Sequence, residues 1–195
     1  MKHIRLEPVI NGKDIKRVQE RYHFQDADVQ MLHRVYETLC PLLHTEGWYG
    51  AGPDGEACNC IVTLGPYVDE LEELYERAGA MSEAYSLECI AMELLQRSYE
   101  ALSDAIRKEY GKGIAGYEFF GEKRSFEEMA EVLRVSGQQT VRCNRAGMLQ
   151  PKKSVVFVAR LTADKACRVQ NICAECSNLF CRSRQRRKES GAESS

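Results

Sequence analysis

Three stretches of the 195-residue chain carry side chains whose types and spacing suit chemistry. The first is a run of four cysteines, Cys167, Cys173, Cys176 and Cys181, in the pattern C-x5-C-x2-C-x4-C. A C-x2-C pair sets two thiolates on one turn, and two more nearby can close a four-coordinate shell. Zinc takes four sulfurs tetrahedrally at about 2.3 Å, and four thiolates equally hold an iron–sulfur cluster, which adds redox function. The spacing matches neither the common zinc-ribbon nor the common ferredoxin pattern. Zinc, an iron–sulfur cluster and plain structural thiols therefore all stay open. Around Asn171–Arg182 there is too little apolar material for an independent core, so a bound metal or cluster would order that segment.

The second stretch is Tyr110–Gly121 (YGKGIAGYEFFG), with four glycines. Glycine lets backbone approach a ligand closely and permits positive φ. Lys112 offers a cation for a carboxylate or phosphate, and Tyr117 a π face for an adenine or a sulfonium. The stretch lacks the preceding strand and the spacing of a dinucleotide or P-loop fingerprint. A flexible connection between two helices describes the same pattern. The third stretch is Arg182–Lys188 (RSRQRRK), five positive charges in seven residues, suited to phosphates or to a solvated tail. No aromatic is interleaved, which weakens single-strand binding. His3, His23, His33 and His44 form no metalloprotease pattern and read as surface or capping residues. No G-x-S-x-G elbow is present, so a hydrolase has no support.

These groups must be held by a scaffold, and apolar spacing outlines it. His3–Leu6 reads as a short strand. Asp26–Leu43 reads as a helix with Asp26 as N-cap and Val29, Leu32, Val35, Tyr36, Leu39 and Leu43 at three- and four-residue steps. His44–Gly55 (HTEGWYGAGPDG) is turn-forming and reads as a loop, with Trp48 and Tyr49 packing on the core. Cys58–Leu64 is β-prone. Gly65-Pro66 opens a helix to Arg77. Residues 81–108 give the clearest helical period, with Tyr85, Met92, Tyr99 and Ile106 seven apart and Leu95 and Leu102 between. Ser125 with Glu128 forms a capping box ahead of a helix closed by Gly137. Thr140–Cys143 and Ser154–Leu161 read as strands. Strands and helices do not alternate strictly, so the class is α+β: long central helices packed on a mixed or antiparallel sheet. The division is residues 1–162 as the α+β domain, 163–182 as a Cys-rich extension and 183–195 as a basic, then polar, disordered tail.

Composition narrows the function classes. Lys plus Arg total 27 and Asp plus Glu 29, a formal net charge of −2, but the charge is unevenly placed. Residues 66–109 hold eleven acidic and four basic side chains; residues 160–188 hold two acidic and eight basic. A uniformly basic nucleic-acid binder is excluded, a basic C-terminal arm is not. No apolar run is long enough to span a bilayer, and the opening MKHIRLEPVINGKDIKR has no apolar core of a secretory signal. Nine cysteines, an odd number, suit a reducing cytoplasmic setting better than a disulfide framework.

Val62–Leu95 (VTLGPYVDELEELYERAGAMSEAYSLECIAMELL) resembles the activation domain of cobalamin-dependent methionine synthase, in particular its short stand-alone forms. A TLGP-x-VD turn there opens a helix, and a break and a long helix follow. Gly116-Tyr117 resembles the end of the family's R-x-x-x-G-Y ligand loop, with Lys112 in the Arg position. Gly147–Val156 resembles its M-x-x-P-x-x-S-V segment, and Cys173-x2-Cys176-x4-Cys181 the three-cysteine ending of stand-alone members. The match runs over about residues 26–182.

The resemblance implies binding of S-adenosylmethionine, with Lys112, Ile114, Gly116 and Tyr117 at the site and no catalytic residue in the chain itself. Lys keeps the charge of Arg but not its planar fork, and no counterpart of the family's C-terminal ligand-contacting Tyr follows Ser154–Leu161. The implied function is reductive reactivation of a cobalamin-dependent methyltransferase, with cobalamin only on a partner, since no D-x-H-x-x-G corrinoid signature occurs. Implied partners are a corrinoid protein and an electron donor such as flavodoxin or ferredoxin. The rival readings are a zinc-stabilised nucleic-acid-binding module and a small iron–sulfur electron carrier.

Overall fold

The computed structural model describes residues 1–52, 54–121 and 123–169. Five strands form one antiparallel sheet in the order β1-β2-β3-β7-β4. They are β1 (Lys2–Arg5), β2 (Glu46–Ala51), β3 (Ala57–Thr63), β4 (Gly113–Phe119) and β7 (Ser154–Thr162). A two-residue hairpin, β5 (Arg142–Cys143) with β6 (Leu149–Gln150), stands apart. The helices are α1 (Gly12–Tyr22), α2 (Val29–Leu39), α3 (Tyr67–Arg77), α4 (Met81–Tyr110) and α5 (Phe126–Ser136).

Alternation along the strands loads both faces of the sheet. Tyr49, Cys58, Cys60, Val62, Ile114, Tyr117, Phe157 and Ala159 turn into one buried cluster with α1 to α4. Trp48, Ile61 and Val156 turn the other way, into a smaller cluster with Met129, Val132 and Leu133 of α5. The α+β class and the antiparallel sheet are as the sequence indicates. The 30-residue α4, about 45 Å at 1.5 Å per residue, is the spine against which α1, α2 and α3 pack. Gly111 in the left-handed region at φ 62° ends it, its N–H bonded to Arg107 O at 2.9 Å.

Two expectations are corrected. His44–Gly55 is not a loop throughout, because Glu46–Ala51 is β2, paired on both sides with β1 and β3. Its glycines fit a strand pressed under a helix: a Cβ on Gly47 would meet Leu102 Cδ1 at 3.0 Å and Leu6 Cδ1 at 3.1 Å. Trp48 and Tyr49 pack inward as expected. Tyr110–Gly121 is not a flexible connection either, because Gly113–Phe119 is β4, an edge strand on β7 with a bulge between Ile114 and Gly116. Smaller differences lie at ends. Asp26 opens a 3-10 turn over Asp26–Asp28 rather than capping α2, and the strand expected at Thr140–Cys143 shrinks to Arg142–Cys143. The Ser125–Glu128 capping box forms, and Gly137 closes α5 at φ 73°.

Candidate functional site

The sequence segments TLGP-x-VD and P-x-x-S-V turn out to be two halves of one joint. Ser154 Oγ bonds Thr63 Oγ1 at 2.8 Å, and Thr63 Oγ1 accepts from Gly65 N at 3.1 Å. Leu64 N donates to Lys153 O at 3.0 Å, and Lys152 N to Asp69 Oδ2 at 2.8 Å. Gly65 takes φ +91° with its α-carbon against His44, where a Cβ would lie 2.8 Å from His44 Cβ and 3.0 Å from its carbonyl oxygen. Burial raises the Asp69 carboxyl, partly offset by the Lys152 amide. These residues tie β3, the start of α3 and the start of β7 together; they serve the fold.

The opening that suits a ligand lies at the other end of the sheet, between α4 and the edge strand β4. It is a cleft of about 330 Å³ lined by Gln96, Tyr99, Glu100, Ser103, Asp104 and Arg107 from α4, Ile114 and Tyr117 from β4, and Arg168 and Val169 beyond β7. The Ile114–Gly116 bulge shifts the alternation so that Ile114 and Tyr117 both face α4. Tyr117 is only 5% exposed, stacks edge-on against Phe157 at 5.6 Å and shares a 2.8 Å hydrogen bond between its hydroxyl and Ser103 Oγ. Burial pushes its hydroxyl above the ordinary phenol range, with the Ser103 bond opposing, so it stays neutral at physiological pH. Arg107 pairs with Asp104, while Glu100 pairs with Arg97 at 3.3 Å. Arg97 also grips the buried Asp14 at 2.5 Å, so one wall of the cleft is braced against α1.

Of the four residues expected at a ligand, Ile114 and Tyr117 line this cleft. Lys112 does not: its Nζ donates to Gly55 O at 2.6 Å and ties the β2–β3 turn to the foot of β4. Gly116 is buried beneath the Arg160 guanidinium, where a Cβ would meet Nη2 at 2.7 Å. Arg160 stands 3.7 Å from Glu118, which Arg124 also holds at 2.8 Å. Of the α4 residues of the cleft, the sequence marks only Tyr99, and that as part of the apolar stripe. Their spacing, 96, 99–100, 103–104 and 107, marks one helical face, but a polar face of that kind reads as solvated surface until a strand is known to lie beside it.

Cys173, Cys176 and Cys181, and the run Arg182–Lys188, lie outside the described residues. Cys167 is described: it is half-buried, with Sγ 3.5 Å from Ile114 O. Among the described residues no group of three or more His, Cys, Asp or Glu could hold a metal ion. Cys58, Cys60 and Cys89 are buried in the core, where burial pushes the Cys60 thiol well up and leaves it unreactive. Two of the histidines take structural positions. His23 is the left-handed C-cap of α1 at φ 60°, and His3 stacks on Trp48 at 5.1 Å. No helix among the described residues is long and apolar enough to cross a membrane.

No family model and no curated protein sequence matches the chain. Its fold matches a solved structure, the MetH reactivation domain bound to AdoHcy, with a TM-score of 0.60 at 11% identity over 84% of this chain and 78% of that one. The chain thus shares the fold of that MetH reactivation domain.

Proposed function

We propose that the protein is an accessory factor for reductive reactivation of a cobalamin-dependent methyltransferase of the methionine synthase type. It would bind S-adenosylmethionine in the α4–β4 cleft and present it to a corrinoid held by a partner. The observation that carries this reading is the cleft beside Tyr117, in a fold shared with a domain solved with AdoHcy.

The lining suits such a ligand. Tyr99 and Tyr117 offer rings for an adenine. Glu100 and Asp104 are acceptors for ribose hydroxyls and counter-charges for a sulfonium. Bound there, adenosylmethionine supplies an electrophilic methyl, so the chain itself need provide only position and exclusion of water. No residue of this chain has to move a proton. Methyl transfer to cobalt(I) needs one electron delivered to cobalt(II), from a donor such as flavodoxin or ferredoxin. The rival nucleic-acid and iron–sulfur readings rest, apart from Cys167, on residues beyond 169, and no observation on the described residues favours them.

The test is reconstitution. A corrinoid methyltransferase lacking its own reactivation domain, poised as cobalt(II), is mixed with a reductant, adenosylmethionine and this chain. The methylcobalamin spectrum should return only when both adenosylmethionine and the chain are present. Ser103→Leu, which fills the cleft from α4, should prevent it. Recovery at the same rate without the chain, or with Ser103→Leu, would remove the proposal.

A further inference from the structure

The cation expected to meet the ligand's carboxylate, Lys112, is spent on Gly55 O, and Arg107 is paired with Asp104. The cleft has one more guanidinium, and the chain goes to some length to place it. After β7, Asp164 N donates to Thr162 Oγ1 at 3.3 Å, Ala166 N to Asp164 Oδ1 at 3.0 Å and Cys167 N to Asp164 O at 3.1 Å. These bonds form a tight reversal. Ile114 N then donates to Cys167 O at 3.2 Å, which seats the reversed chain on the outer edge of β4. The next two residues, Arg168 and Val169, become part of the cleft wall. Gly113 makes the seat possible, since a Cβ there would lie 2.0 Å from Asp164 O. No carboxylate among the described residues forms an ion pair with Arg168.

Resting on the cleft assignment above, we infer that Arg168 is the specificity-determining cation of the site. It takes the α-carboxylate of an amino-acid-bearing nucleoside thioether or sulfonium, while Lys112 has a purely structural role. Its planar fork matches a carboxylate with two parallel bonds. The Asp164–Cys167 reversal fixes its approach, so the end of β7 and the β4 edge together select ligands that carry the amino-acid tail.

Calorimetry on the full chain with two probes tests this. AdoHcy carries the tail; 5′-methylthioadenosine is the same nucleoside thioether without it. Arg168→Gln, at an exposed position, should weaken AdoHcy about tenfold, as loss of a charged hydrogen bond at a partly solvated rim does, and leave methylthioadenosine unchanged. Gly113→Ala, which unseats the reversal, should give a similar loss, and the double variant should be no worse than either single one. Lys112→Gln should hold AdoHcy within about twofold. Unchanged AdoHcy affinity in Arg168→Gln, equal loss of both probes, or a loss carried by Lys112→Gln would each overturn the inference. If the wild-type chain binds neither probe, the cleft assignment itself fails and this inference goes with it.

Discussion

Single residues decide how the TLGP-x-VD and P-x-x-S-V segments act. Thr63, fully buried, receives hydrogen bonds from both Gly65 N and Ser154 Oγ. Thr63→Val keeps the shape but strands both donors, and should cost about 1–3 kcal/mol in urea unfolding. Gly65→Ala faces a positive φ and a close contact with His44 and should lose about 2 kcal/mol or more. Neither change should alter AdoHcy affinity, since both lie outside the cleft lining. At this scale the sequence is a partial guide. Tyr117 and Ile114 are recognisable from their neighbours and do line a cleft. Lys112 is not among the cleft lining, because the oxygen that claims it belongs to Gly55, 57 positions earlier, and nothing in a local pattern announces a partner so far away.

At the scale of elements, the long helices are legible and two of the five strands of the main sheet are not. α4 repeats its apolar residues over eight turns, whereas β2 and β4 are glycine-bearing strands whose stability comes from neighbours on the sheet. α1 carries almost no apolar signal, because Ile15 and Val18 are its only buried apolar side chains. What holds it is polar. Asn11 Oδ1 accepts from Lys13 N at 2.9 Å and Asp14 N at 3.3 Å, and Asp14 Oδ2 returns a bond from Asn11 N at 2.9 Å. Asn11→Ala should therefore cost about 1 kcal/mol. Burial pushes the Asp14 carboxyl up, but the Asn11 amide and the Arg97 and Arg17 guanidiniums outweigh it and hold it below the usual carboxylate range. The folded state then binds fewer protons than the unfolded one. Its contribution is complete above the unfolded value, about 3.9, and is lost as pH falls through the lower folded value. Urea midpoints measured from pH 6 down to 2.5 should fall less steeply in Asp14→Asn, which starts less stable at neutral pH.

For the whole molecule, the class and the sheet follow from apolar periodicity and the order of elements, but the site does not, because it exists only between α4 and a strand that reads as a loop. The cleft forms where the edge of the sheet meets the last turns of the longest helix, and the chain beyond β7 folds back to wall it. A ligand bound only by the folded chain raises stability by RT ln(1 + [L]/Kd), about 2.7 kcal/mol at a hundredfold excess over Kd. Thermal unfolding with AdoHcy should thus shift upward in wild type and far less in Ser103→Leu. The most direct test of the central claim is calorimetric titration of the purified chain with AdoHcy. The account predicts saturable heat at one site per chain, removed by Ser103→Leu and retained in Thr63→Val. Absence of heat in the folded wild-type chain, or heat undiminished by Ser103→Leu, would contradict it.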